Sequence, residues 1–119
     1  MRSTRNPKKI EPLKKAFGEY FDQLELVEAD LLDENSLMQA CSGSTYIVHT
    51  ASPAPIEPPR HEDELIKPAV EGTLAIMKAA RANKVKRVVI TSSVASIMVS
   101  QDLKKVNFSV EDWSDTTIA

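Results

Sequence analysis

A chain of 119 residues and 13.2 kDa, 42% apolar and 27% charged, can build one ordinary core, burying about 65% of its unfolded surface, and is too apolar for a disordered chain. Its formal charge of −2 gives no electrostatic reason to expect a nucleic-acid or membrane partner, and no apolar run nears the roughly 20 residues of a membrane span. The single cysteine, Cys41, excludes an internal disulfide and suits the reducing cytoplasm, and the basic opening MRSTRNPKK has no hydrophobic segment behind it, so it does not read as a secretory signal.

Pro7 to about Phe17 reads as a short helix with Ile10, Leu13 and Phe17 on one side. Leu24–Ala29 alternates enough to suggest a strand. Asp33 is a good N-cap for a helix over Glu34–Ser42, whose apolar face would be Leu37, Met38 and Cys41. Gly43 then supplies a left-handed residue at the helix end. Thr45–Thr50 (TYIVHT) is β-branched and aromatic, the pattern of a buried strand. The proline-rich ASPAPIEPPR forbids regular structure. A long helix follows over about Glu62–Asn83, with the stripe Ile66, Ala69, Val70, Thr73, Met77 and Ala80. Pro68 predicts a kink there, or a fresh start with Pro68 in the first turn. Arg87–Thr91 is the most strongly β stretch, and the tail through Trp113 reads as loop with a turn of helix.

Alternating helices and strands predict βαβ units and a parallel sheet with right-handed crossovers. Strands running the same way would deliver Asp30-Leu31, Thr50-Ala51-Ser52 and Ser92-Ser93 to one rim, where open α/β sheets hold ligands. His49, inside an apolar strand, reads as a packed histidine, and His61 as an exposed one. One cysteine and two separated histidines give no metal-site spacing.

Four strings taken together, VEADLLDENSL, VHTASP, IKPAVEGTLAIMKAA and RVVITSSVAS, resemble the extended short-chain dehydrogenase/reductases of the NAD-dependent epimerase/dehydratase superfamily. The dihydroflavonol-4-reductase-like enzymes are most similar, with cinnamoyl-CoA reductases and 3β-hydroxysteroid dehydrogenases as relatives. The resemblance implies that residues 1–119 form part of an NAD(P)-binding Rossmann domain, with three strands of a parallel sheet and flanking helices. It implies an NAD(P)-dependent oxidoreductase acting on a small-molecule carbonyl or secondary alcohol. By the same resemblance Ser93 is the catalytic serine that hydrogen-bonds the reacting oxygen, and Ser92 lies nearer the cofactor. Asp30 would bond the adenine amino group beside the Leu31 backbone. Thr50, Ala51 and Ser52 would line the ribose and pyrophosphate, and Ser96 and Met98 would face the substrate. Arg2, with Lys9 near it, would meet the 2′-phosphate of NADP, which favours NADP over NAD; a guanidinium fork suits such a dianion. Gly72 would allow close helix packing.

Two parts of the family pattern do not occur among these residues. One is the glycine-rich turn that wraps the pyrophosphate. The other is the Tyr-x-x-x-Lys pair, whose tyrosine is the general acid/base. The expectation is therefore a fragment, inactive alone, with an unfilled gap between Leu24–Ala29 and Thr45–Thr50. Two non-catalytic readings stand beside it. Pro55 to Arg60 fits the P-x-x-P-x-R pattern of SH3 ligands, and exposed sheet edges suit a chain that pairs with full-length relatives.

Overall fold

The computed structural model describes residues 4–53, 59–100, 102 and 104–118. Arg2 and most of the P-x-x-P-x-R segment lie outside them. The chain divides into two units, Met1–Val89 and Ile90–Ala119.

Helix α1 spans Pro7–Phe17. Asn6 caps it, its side-chain oxygen accepting the Lys8 N–H at 3.0 Å. Pro7 takes the first helical position, where a missing N–H costs nothing. Lys14 and Lys15 fill the last turn, where cations complement the dipole. A 3-10 turn, Gly18–Gln23, follows. Helix α2, Glu34–Ala40, begins where Asp33 was expected to cap it: its carboxylate accepts the N–H groups of Asn35 and Ser36, both at 3.1 Å. Gly43, at φ +74°, turns the chain toward strand β1, Tyr46–His49. Helix α3 is Asp63–Ala82 and strand β2 is Arg87–Ile90. Lys84, at φ +54°, takes a positive φ without being a glycine.

The two strands pair in one parallel sheet. The Lys86 N–H donates to the Thr45 carbonyl at 2.9 Å, so the residues that lead into both strands are neighbours and the strands run the same way. Helix α3 is the crossover between them.

Leu24–Ala29 does not form the expected third strand, because a strand exists only by its ladder and β1 and β2 pair with each other. Leu24 and Val27 are 36% and 37% exposed, which leaves much of this segment to water instead of a sheet. Its end is nonetheless anchored. Ala29 packs on a core made by Leu37 of α2, the Cys41 that caps its end, and Ala75, Ile76 and Ala79 of α3, joined by Met38, Ile47 and Val88.

The buried face of α3 is also not the expected one. Gly72, Ala75, Ile76, Ala79 and Ala80 are buried, whereas Ile66, Val70 and Met77 are about half exposed; only Ala80 belongs to both stripes. This helix is apolar around much of its girth, so two stripes satisfy the 3.6 period. The one with the smallest side chains wins, because it permits the closest approach. A Cβ on Gly72 would lie 2.7 Å from Leu31 Cδ2 and 3.0 Å from Leu31 Cβ. Nor does Pro68 restart the helix: α3 begins at Asp63 and runs on through it. Lys78 of α3 meets Glu34 of α2 at 2.7 Å, but both are more than half exposed, so the pair adds at most about 1 kcal/mol.

His49 is buried, as its apolar strand suggested. Cys41 is a free, buried thiol whose pKa is raised by desolvation, which makes it a packing residue rather than a nucleophile.

Two carboxylates are held below their ordinary pKa. Glu28 accepts the Thr4 N–H at 2.7 Å and the Thr4 hydroxyl at 2.9 Å. Asp112 is lowered first by Lys105, then by the Ser109 N–H at 2.7 Å. A folded pKa below the unfolded one means the folded chain binds fewer protons, so these bonds stabilise it fully above the usual carboxylate range of about 4 and are lost as pH falls through the folded values. Carboxylate titrations followed by NMR should give both midpoints below those of the urea-unfolded chain. Converting Thr4 to Ala, which removes the hydroxyl and keeps the backbone N–H that lowers Glu28 most, should move Glu28 only part of the way back and leave Asp112 unmoved. Equal midpoints in folded and unfolded chains would refute the linkage.

Candidate functional site

In the first unit the candidate residues stand at two chain turns. Asp30 ends the unpaired segment before α2. Its N–H donates to Ser36 Oγ at 3.0 Å, and its Oδ1 accepts the Leu32 N–H, also at 3.0 Å. Asp30 therefore braces its own turn, and among the described residues nothing bonds its other carboxylate oxygen. The Leu31 side chain occupies the space left by Gly72. One small contact on α3 thus fixes the turn that carries Asp30. Thr50, Ala51 and Ser52 follow the last residue of β1 as exposed, irregular chain, with side chains too small to hide their backbone.

Asp30 thus leaves one carboxylate oxygen open to a donor, and the Thr50–Ser52 backbone is accessible just past the carboxyl end of β1. Lys9 is exposed on α1, its own N–H bonded to the Asn6 carbonyl at 3.0 Å. A shallow groove of about 510 Å³ runs beside Tyr46, Ile47, Val48, Lys86, Arg87 and Val89. It follows the body of the strands and includes none of the candidate residues.

In the second unit, β2 gives way to Thr91-Ser92-Ser93 and a 3-10 turn, Val94–Ser96. Ser93 caps this turn: its Oγ accepts the Ala95 N–H at 3.2 Å, and its carbonyl accepts the Ser96 N–H at 3.0 Å and the Ser96 hydroxyl at 2.6 Å. Ser92 Oγ lies 3.2 Å from Ser96 Oγ. Three of the four candidate residues of this unit are thus hydrogen-bonded together. The fourth, Met98, donates its N–H to the Val94 carbonyl at 3.0 Å and leaves its side chain about half exposed. Ser93 is exposed, and with its oxygen already accepting one bond, its proton is left to donate outward.

Sequence reasoning missed Ser114. Its hydroxyl donates to the Ala95 carbonyl at 2.6 Å and accepts the Val99 N–H at 3.0 Å, while its own N–H donates to the Ser96 carbonyl at 2.8 Å. No local signal marks a residue whose partners lie 15 and 19 positions away. Among the described residues no three His, Cys, Asp or Glu side chains gather as a metal would require, and no helix is long and apolar enough to cross a membrane.

A parallel βαβ unit with small and polar residues after its strands gives the chain an α/β fold. The chain belongs to the 3-beta hydroxysteroid dehydrogenase/isomerase family, which matches residues 7–116. It is 35% identical to tetraketide alpha-pyrone reductase 1 of Arabidopsis thaliana over 99% of its own length and 36% of that protein's. It is 37% identical to a dihydroflavonol 4-reductase of Medicago sativa, over 97% of its length and 52% of that protein's. An anthocyanidin reductase of Arabidopsis thaliana is 34% identical over 97% of this chain and 34% of its own length. The chain thus spans between about a third and about half of these relatives. The crystal structure of gox2253 superposes with a TM-score of 0.63 at 25% identity, covering 86% of this chain and 28% of that one.

Proposed function

We propose that this chain carries part of the cofactor- and substrate-binding machinery of an NAD(P)-dependent reductase whose substrate is a dihydroflavonol-like ketone or the corresponding secondary alcohol. The observation that supports it best is Ser93, an exposed hydroxyl just past β2 whose acceptor side is already engaged by the Ala95 N–H. Such a hydroxyl is poised to donate to a substrate oxygen and draw electron density from the carbonyl carbon. It needs no deprotonation, so it acts as an electrophilic donor and not as a nucleophile. A bound nicotinamide would supply or accept the hydride at that carbon. Asp30 would orient the adenine, with the Leu31 backbone beside it, and the backbone of Thr50, Ala51 and Ser52 would face the ribose and pyrophosphate. Ser92 would stand toward the cofactor, Ser96 and Met98 toward the substrate. NADP in preference to NAD is part of the proposal, through Arg2 and Lys9. So is a cytoplasmic location, supported by the lone unpaired Cys41.

Titration of the isotope-labelled chain with NADPH, followed by NMR, should shift the amides of Asp30, Leu31, Thr50, Ala51 and Ser52. Asp30→Ala should weaken binding about tenfold or more, the worth of one hydrogen bond to a charged group. Arg2→Ala should bring the NADPH affinity down to that for NADH. Shifts confined to the exposed side of α3, or none at all, would sink the assignment.

A further inference from the structure

The family's residues account for Ser93 but not for what holds it, and the hydrogen bonds of the second unit supply an answer. We propose that Ser114 is a positioning residue, whose hydroxyl and backbone N–H grip the two successive carbonyls of the turn that carries Ser93 and Ser96. The inference rests on the reading of Ser93 as the donor to a substrate oxygen.

Ser114 Oγ donates to the Ala95 carbonyl at 2.6 Å, and the Ser114 N–H donates to the Ser96 carbonyl at 2.8 Å. Each of those carbonyls belongs to a peptide unit whose N–H is also engaged. The Ser96 N–H reaches the Ser93 carbonyl and the Ile97 N–H reaches the Val94 carbonyl, both at 3.0 Å. Donation to a peptide oxygen polarises the whole unit and strengthens the bond made by its N–H. Ser114 therefore tightens the turn from outside at both of its peptides.

The hydroxyl has a third task. It accepts the Val99 N–H at 3.0 Å, and the neighbouring Asp115 N–H donates to the Val99 carbonyl at 2.8 Å. The chain on both sides of Met98 is thus tied to Ser114-Asp115. Ser93 is held more loosely, because its Oγ keeps only the 3.2 Å bond from Ala95 N–H. Its direction depends on the Ala95 N–H, which belongs to the Val94–Ala95 peptide, one Cα from the Ala95 carbonyl that Ser114 holds.

Two measurements on the full chain test this. Amide exchange read by NMR should speed up at Ser96, Ile97 and Val99 in Ser114→Ala by about fivefold or more, the factor for one lost hydrogen bond. Ser114→Thr, which keeps the hydroxyl, should restore the parent rates. Rates in Ser114→Ala within twofold of the parent would overturn the inference, and so would a threonine that fails to rescue. If alanine unfolds the whole tail, the threonine variant decides by the same criterion.

The second measurement titrates a dihydroflavonol and follows the Ser93 amide. Ser114→Ala should weaken binding several-fold, with recovery in Ser114→Thr. An exchange effect without any ligand shift in the parent chain would end the carbonyl reading while leaving the clamp in place. Ligand binding at Ser93 that is indifferent to Ser114→Ala would end the positioning role and leave the carbonyl reading intact.

Discussion

Gly72→Val is expected to destabilise the chain by about 2–3 kcal/mol, and Gly72→Ala by up to about 2 kcal/mol. On propensity alone the alanine change should help, since glycine inside a helix costs about 1 kcal/mol relative to alanine. The helix pays that cost because a Cβ at this position would meet Leu31 Cδ2 at 2.7 Å and Leu31 Cβ at 3.0 Å. The Cδ2 methyl can swing away, but the Cβ is fixed to the backbone, so the turn itself must shift. Overpacking of that kind costs about 1–3 kcal/mol, which exceeds the propensity gain. Valine adds two methyls and a helix-averse branch. Urea unfolding should show the midpoint falling with an unchanged slope. In a Leu31→Ala background the cost of Gly72→Ala should shrink, because the 2.7 Å contact with Cδ2 is removed while the 3.0 Å contact with Cβ stays. Gly72→Ala giving its full propensity gain in the parent chain would show that Leu31 does not press on α3. The substitution should also weaken NADPH binding, since Asp30 precedes the residue that is displaced.

What could be read from the sequence here follows the range of the interactions. Asn6 and Asp33 mark helix starts through bonds to residues two or three positions away, Pro7 by its place at the first helical position, and Gly43 marks a helix end through its own backbone angle. Those elements fall where the sequence put them, to within a residue or two. Leu24–Ala29 has the alternation of a strand, but a ladder needs a partner, and alternation carries no information about one. The face of α3 was missed for a related reason. Ile66, Val70 and Met77 outrank Gly72, Ala75 and Ala79 on any hydrophobicity scale, yet burial went to the face whose small residues admit Leu31 and α2. At the candidate site, the family resemblance picked out Ser92, Ser93, Ser96 and Asp30, and each sits in a turn bonded by neighbours. Ser114 stayed invisible because its partners are distant in sequence.

The chain, purified as it stands, is expected to bind NADPH and yet give no turnover with a dihydroflavonol or any simple ketone. In the proposed role Ser93 would polarise a carbonyl, but reduction also requires a proton for the alkoxide oxygen. A positioned general acid contributes about 10²–10⁴ in rate, and a serine hydroxyl is too weak an acid to replace it at neutral pH. The 119 residues contain two tyrosines and no Tyr-x-x-x-Lys. Tyr20 lies in the 3-10 turn after α1, 59% exposed, with no lysine four residues on. Tyr46 opens β1 and is 64% exposed. At a rise of about 3.3 Å per residue it stands roughly 13 Å from Thr50, at the wrong end of the strand for the cofactor residues. The assay is NADPH oxidation followed by absorbance, run beside the binding titration so that lost affinity is not mistaken for lost chemistry. Turnover that persists in Tyr20→Phe and Tyr46→Phe but disappears in Ser93→Ala would overturn the argument, because the serine would then be supplying the proton as well as the hydrogen bond.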